Sequence, residues 1–178
     1  MTKAVYALSA DPITFGHINI VERSAKIFNE VFVAIGDNPA KKYLFTKEER
    51  TKMAQISLAH LPNVKVTSFD GLLIDFAHEN DIRVMVRGIR NTNDMEYEYN
   101  LYQVNDSQDL EIETMCLFTQ PELGKVSSSN VKSIQKESGL TQKYVPLVVK
   151  DKLEQKISHQ KIFGITGIMG SGKSWLAN

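Results

Sequence analysis

Five short apolar runs, each separated from the next by a stretch long enough for a helix, constrain this chain more than any other feature. They are Ala4-Val-Tyr-Ala-Leu8, Val31-Phe-Val-Ala-Ile35, residues 64–67, Arg83-Val-Met-Val-Arg87 and residues 114–119. The runs are continuous and rich in β-branched residues rather than alternating, so each reads as a strand buried on both faces, the pattern of a parallel sheet. Between them, Ile18, Val21, Ala25 and Phe28 recur at near-helical spacing. Thr46-Lys-Glu-Glu49 is a capping box that opens a helix ending near Pro62. Residues 72–79 and 94–104 read as further helices, Ser127-Ser-Ser-Asn130 supplies an N-cap, and Pro146 fits the first turn of a helix running to about Ile157. The order β-α-β-α-β-α-β-α-β-α predicts a doubly wound α/β domain, a Rossmann-like five-stranded parallel sheet, over residues 1–157. Such sheets bind ligands at the carboxyl ends of their strands, where the strand order reverses. The chemistry is therefore expected in the loops that follow strands.

Composition removes several classes of function. With 178 residues there is room for one ordinary domain and a tail. Lys+Arg and Asp+Glu both number 21, so no bulk positive field is available to hold nucleic acid, and no nucleic-acid partner is expected. The single cysteine, Cys116, excludes an intrachain disulfide framework and a cysteine-based zinc site. It stands in the apolar run Thr114-Met-Cys-Leu-Phe118 and is expected to be a buried structural thiol. No apolar stretch approaches the roughly 18 residues of a membrane span, and no signal-peptide core is present, so the expected compartment is the cytoplasm. The sequon Asn105-Asp-Ser107 then reads as chance.

The loops after the strands carry the candidate residues. Asp11-Pro-Ile-Thr-Phe-Gly-His17 follows the first strand and places His17 at a helix start, where free N–H groups favour an anion. Lys41 follows the Asp37-Asn-Pro39 break after the second strand, and Lys42 beside it reads as solvated. Arg87 and Arg90 bracket Gly88 at the end of the fourth, positioned to aim bidentate forks at phosphates. Ser127, Ser128 and Ser129 lie at a helix start and can form an anion nest. On spacing alone each has an ordinary alternative: a capping histidine, a solvated lysine, structural ion pairs, a flexible serine linker. Glu98, among Tyr97, Tyr99 and Tyr102, reads by itself as part of a packing helix. His60, His78 and His159 read as unpaired surface or packing histidines, and Arg83 enters its strand without a role.

Six segments in order resolve these alternatives by likeness: Asp11-Pro-Ile-Thr-Phe-Gly-His-Ile18, Asn38-Pro-Ala-Lys-Lys42, Phe45-Thr-Lys-Glu-Glu-Arg50, Val86-Arg-Gly-Ile-Arg90, Met95-Glu-Tyr-Glu-Tyr99 and Val126-Ser-Ser-Ser-Asn-Val131. Thr14-Phe-Gly-His17 resembles the T/H-x-G-H signature of nucleotidyltransferases. Together the segments make residues 3–157 resemble the bacterial phosphopantetheine adenylyltransferase family. The resemblance implies a nucleotidyltransferase fold and transfer of the adenylyl group of ATP to 4′-phosphopantetheine, giving dephospho-CoA and pyrophosphate in coenzyme A biosynthesis. It implies His17, Lys41 and Arg90 as catalytic residues. It places Ser9, Lys41, Leu73 and Arg87 on phosphopantetheine. It places Ser9, Ala10, His17, Gly88, Ile89, Arg90, Glu98 and the wall Leu123, Gly124, Lys125, Val126, Ser127, Ser128 and Ser129 on ATP. Mg²⁺ is implied as the companion of ATP, and a homo-hexamer as the assembly. A phosphate monoester is already an anionic nucleophile, so direct in-line attack needs positioning and fixed positive groups rather than a strong base. The chain departs from the family's Tyr-Pro-Gly-Thr-Phe-Asp-Pro, reading Tyr6-Ala-Leu-Ser-Ala-Asp-Pro12. Ser9 keeps the hydroxyl, but Leu8 replaces the glycine, which removes backbone freedom near the phosphates. That departure motivates an alternative, a catalytically weakened nucleotide-binding scaffold of a bifunctional adenylyltransferase–kinase.

The end of the chain holds a separate motif. Gly167-x-x-x-x-Gly172-Lys173-Ser174 follows the short apolar run 162–165 and matches the phosphate-binding P-loop. It resembles the opening of dephospho-CoA kinase. Residues 158–178 are accordingly expected to be a linker and a truncated stump of such a domain, vestigial here and without kinase activity of its own.

Overall fold

The computed structural model of the protein describes residues 2–106 and 111–158. The P-loop motif at Gly167, Gly172, Lys173 and Ser174, together with His159 and Ser107 of the sequon, lies outside the described residues.

The five apolar runs form the strands β1 (Lys3–Leu8), β2 (Glu30–Ile35), β3 (Val64–Ser68), β4 (Val84–Ile89) and β5 (Glu113–Phe118). All four pairings are parallel, in the order β3-β2-β1-β4-β5. Helices α1 (Phe15–Ala25), α2 (Lys47–Leu58), α3 (Leu73–Glu79), α4 (Thr92–Asp106), α5 (Ser128–Lys136) and α6 (Leu147–Leu153) alternate with or follow them, and a π-helical turn, Glu154–Ser158, continues α6. Two apolar layers sandwich the sheet. On one face Tyr6, Val33, Ile35 and Val86 pack against Ile20 and Val21 of α1, Met53 and Leu58 of α2, and Val149 and Leu153 of α6. On the other, Val5, Ala34 and Met85 pack against Ala77, with Phe76 alongside. Burial of successive residues on opposite faces explains why the strands lack a polar alternation.

Local signals fix several boundaries. Thr46 and Glu49 complete the capping box reciprocally, Glu49 N–H donating to Thr46 Oγ1 at 3.2 Å and Thr46 N–H to Glu49 Oε2 at 2.9 Å. Ser127 caps α5 by accepting from the Asn130 N–H at 3.1 Å.

Two expectations fail. Cys116 is exposed rather than buried. The sheet ends at β5, where only Met115 and Leu117 turn toward the main apolar layer, so the alternate positions Cys116 and Phe118 meet solvent. His60 is not unpaired, because its Nε2 lies 3.1 Å from Glu22 Oε1 at the surface. Arg83 precedes β4 and pairs with Glu111 at 3.0 Å.

The strand order reverses between β1, whose chain continues outward through β2 and β3, and β4, which continues outward through β5. The gap beyond the carboxyl ends of β1 and β4 is where this topology opens a crevice.

Candidate active site

A cavity of about 310 Å³ occupies that crevice. Four segments build it. Leu8, Ser9 and Ala10 come from the end of β1, and Gly16 and His17 from the first turn of α1. Gly88 and Arg90 come from the end of β4, and Val126, Ser127, Ser128 and Ser129 from the start of α5. Lys41 enters from the β2–α2 loop and Glu98 from α4. Of the residues singled out in the sequence, Ser9, Ala10, His17, Lys41, Gly88, Arg90, Glu98, Val126, Ser127, Ser128 and Ser129 thus face one cavity. Leu73, Arg87, Ile89, Leu123, Gly124 and Lys125 do not line it. Leu73 packs with the second apolar layer, beyond the end of β3. Ile89 is core. The turn at 123–125 backs the wall, with the Leu123 carbonyl packed behind Gly16.

The turn before α1 is a capping box with histidine in the place usually held by glutamate or glutamine. The Thr14 N–H donates to His17 Nδ1 at 3.1 Å, while the His17 backbone N–H is taken up by the Thr14 side chain. The Phe15 N–H is also used, donating to the Tyr144 carbonyl at 2.9 Å. The helix start is therefore less open to an anion than its sequence implies. What it presents instead is the imidazole edge. Because Nδ1 accepts a backbone N–H, the proton of the neutral ring must sit on Nε2. Burial, followed by the nearby positive charges of Arg90 and Lys41, lowers the His17 pKa to about 4. At neutral pH His17 is an uncharged donor rather than a cation.

Arg90 is already held. Its Nε and Nη2 donate to Asp94 at 2.8 and 3.0 Å, and its backbone N–H donates to the same carboxylate at 3.0 Å. The hydrogen bond with Asp94 pushes the guanidinium pKa up and draws the carboxyl down. A fork with five N–H donors keeps three for a ligand after this pairing. Arg87 turns away from the cavity to Glu98, Nε to Oε2 at 3.2 Å, with both side chains about five-sixths buried. Burial raises the Glu98 pKa, and Arg87 opposes that shift. At α5, Asn130 is capped by Ser127, which leaves the Ser128 and Ser129 N–H groups ahead of the first intrahelical bond. Lys41 is exposed on its loop.

Leu8 does not strain the backbone. It ends β1, and the left-handed residue of the loop is Ala10, at φ +48°. The glycine freedom expected at position 8 is not required there.

Several site residues pass unnoticed in the sequence. Tyr6, 7% exposed, lines the cavity, and burial raises its pKa so that the phenol stays protonated. Thr119 lines it from beyond β5. Asp11, Arg50 and Lys132 lie behind the wall and lace it together. No periodicity marks Asp11 and Lys132, whose ion pair spans 121 positions, or the bond from Arg50 to the Ser9 carbonyl 41 positions away.

The side chains present do not make a Mg²⁺ cage. Among the described residues no three His, Cys, Asp or Glu cluster around a point. The carboxylate lining the cavity, Glu98, faces Arg87. No helix among the described residues is long and apolar enough to cross a membrane.

Comparison with known proteins is consistent with this arrangement. Residues 7–134, from the end of β1 into α5, match the cytidylyltransferase-like family model. The phosphopantetheine adenylyltransferase of Heliobacterium modesticaldum is 43% identical over 156 residues, 88% of this chain and 93% of that protein. That of Thermosynechococcus vestitus is 46% identical over 151 residues, 85% of this chain and 90% of its own length. A crystal structure from Vibrio parahaemolyticus, assigned as a nicotinate-nucleotide adenylyltransferase, superposes with a TM-score of 0.67 over 90% of this chain and 98% of that one. At 16% identity that likeness speaks for the fold alone.

Proposed function

This chain belongs to the phosphopantetheine adenylyltransferase family, and we propose that it transfers the adenylyl group of ATP to 4′-phosphopantetheine, releasing pyrophosphate and dephospho-CoA. The observation that carries this reading is the convergence of Lys41, Arg90, the His17 Nε2–H edge and the Ser128 and Ser129 N–H groups on one crevice. The reaction brings two polyanions together, and that set of donors is matched to phosphate oxygens rather than to a carbonyl or a sugar. A phosphate oxygen of phosphopantetheine attacks the α-phosphorus of ATP. The bond from that phosphorus to the β-phosphate bridge breaks, and its electron pair leaves with pyrophosphate. Lys41 and Arg90 offset the charge that builds on the α-phosphoryl oxygens. Neutral His17 donates from Nε2 and requires no prior protonation. The α5 start receives the outer phosphates, with Gly88 and Glu98 on the ATP side and buried Ile89 behind Gly88.

Mg²⁺ belongs to this reading as the companion that ATP brings with it, since Glu98, the carboxylate in the cavity lining, is paired with Arg87 and the described side chains do not form its cage. Leu73 and Arg87 come into the reading on the phosphopantetheine side, beyond the cavity's lining. The weakened-scaffold alternative is not favoured: relatives at 43% and 46% identity carry the enzyme's name over nearly their whole length. We take residues 1–157 as the catalytic unit and residues 158–178 as a linker and tail whose P-loop pattern, at 167–174, resembles that of dephospho-CoA kinase. Cytoplasmic coenzyme A synthesis is the setting, and a homo-hexamer the assembly, that family membership supports.

Steady-state pyrophosphate release tests the proposal. Turnover should require ATP and 4′-phosphopantetheine together and should not be supported by nicotinate mononucleotide. Pyrophosphate release that is indifferent to phosphopantetheine would refute it.

A further inference from the structure

We propose that Asp11 is a positioning residue of the crevice, whose carboxylate holds the segments bearing Ser9, Lys41 and Ser128 in a single arrangement. Asp11 is 5% exposed. A carboxylate so far from water is tolerated only when its oxygens are fully engaged. Here two other chain segments engage them. The Leu44 and Phe45 N–H groups donate to Oδ1 at 3.1 and 3.0 Å, the Leu44 N–H also reaches Oδ2 at 3.1 Å, and Lys132 Nζ donates to Oδ2 at 2.6 Å.

Each tie controls a substrate-facing group. Leu44 and Phe45 end the loop that carries Lys41. The other end of that loop is fixed by Arg50, which is 1% exposed, donates to the Gly36 and Phe45 carbonyls at 3.1 and 3.2 Å, and pairs with Asp37. Arg50 also donates to the Ser9 carbonyl at 2.6 Å. Exposed Lys41 therefore sits on a short span clamped at both ends. Lys132 lies four residues beyond Ser128 and three beyond Ser129, on their face of α5. Its bond to Asp11 sets the rotation of that helix, and Ser128 Oγ adds a second tie by donating to the Pro12 carbonyl at 2.8 Å. Asp11 itself follows Ala10, whose φ of +48° is uncommon for a residue with a Cβ and persists only where neighbours over-determine the turn. The carboxylate is not remote from the chemistry. A second cavity of about 200 Å³, adjoining the first, is lined by Asp11 and Lys132 together with Ser9, Lys41 and Ser128. Neutralising Asp11 would free the Lys132 ammonium, loosen one end of the Lys41 span and let α5 rotate against the β1–α1 loop.

The kinetic arm of the test rests on the adenylyl-transfer reading, and the binding arm does not. Asp11→Asn keeps an oxygen for the Leu44 and Phe45 N–H groups but presents an amide to Lys132. Its kcat should fall by about 10²-fold, the cost of misplacing reacting groups by about 1 Å. Its affinity for ATP, measured by calorimetry without the second substrate, should fall at least about tenfold. Lys132→Met should reproduce both losses, Lys132→Arg should restore most of kcat, and the double variant D11N/K132M should be no worse than either single. Normal kcat and normal ATP affinity in Asp11→Asn, accompanied only by a lower melting temperature, would overturn the proposal. If Asp11→Asn does not fold, Lys132→Met decides by the same two readouts. A wild-type protein that binds ATP yet releases no pyrophosphate would defeat the adenylyl-transfer reading alone. The ATP affinity of Asp11→Asn would then support the positioning role by its loss or overturn it by its persistence.

Discussion

The state of His17 makes the stability of the fold depend on pH in a way that one substitution isolates. In an unfolded chain a histidine titrates near 6.5, whereas in the crevice burial, then Arg90 and Lys41, bring His17 to about 4. Between those values the unfolded chain binds the proton and the folded one does not, so stability falls as pH drops through the window. The contribution is complete above pH 6.5 and exhausted below 4. Linkage gives about 1–2 kcal/mol lost between pH 7 and pH 5 from this ring. His17→Gln is the informative variant. Glutamine at the third helical position keeps the bond from the Thr14 N–H that a capping box requires and has nothing to titrate. Urea unfolding of both proteins should be carried out at pH 7 and at pH 5, at fixed ionic strength. Carboxylates drawn down by their partners, such as Asp94, weaken both proteins alike as pH falls further, so the difference between the two is what counts. The wild type should lose about 1–2 kcal/mol more than the variant over the interval. Equal losses would show that the imidazole titrates at its ordinary value, and the account of His17 as held neutral by burial and by Arg90 and Lys41 would fall.

Other substitutions test neighbouring parts of the same reasoning. Lys41→Met and Arg90→Met should each lower kcat by about 10²–10³-fold in the pyrophosphate-release assay. The exposed Lys41 should leave the urea midpoint unchanged, and a loss confined to KM would contradict its role in the transition state. Arg87→Met removes the counter-charge from a Glu98 carboxyl that burial already raises. It should destabilise the protein by about 3 kcal/mol at neutral pH, with much of that deficit recovered as pH falls and Glu98 takes up its proton, which thermal melts at the two pH values would reveal.

The parts of this protein legible in its sequence are those whose causes are local. Continuous β-branched runs announced the parallel strands, and Thr46-Lys-Glu-Glu49 announced the start of α2, because the residues that decide each are within a few positions of one another. The crevice was legible for a related reason. A doubly wound sheet puts its loops at the carboxyl rim, so residues placed just after strands converge without any long-range knowledge of packing. Cys116 was misjudged because a run of five apolar residues says nothing of whether its strand lies at the centre or the edge of the sheet. His17 is legible in place but not in charge. Thr14-Phe-Gly-His17 has the spacing of a capping box, but histidine is not the residue that usually closes one, so the neutral tautomer could be read only once the bond to Nδ1 was in view. Asp11 and Arg50 were least legible of all. Lys132 is 121 positions from Asp11, and the Ser9 carbonyl is 41 from Arg50, distances over which no spacing rule operates. Contacts across such separations are what turn a rim of independently placed loops into one rigid anion site. The residues a sequence hides best are therefore those on which the geometry of the legible ones depends.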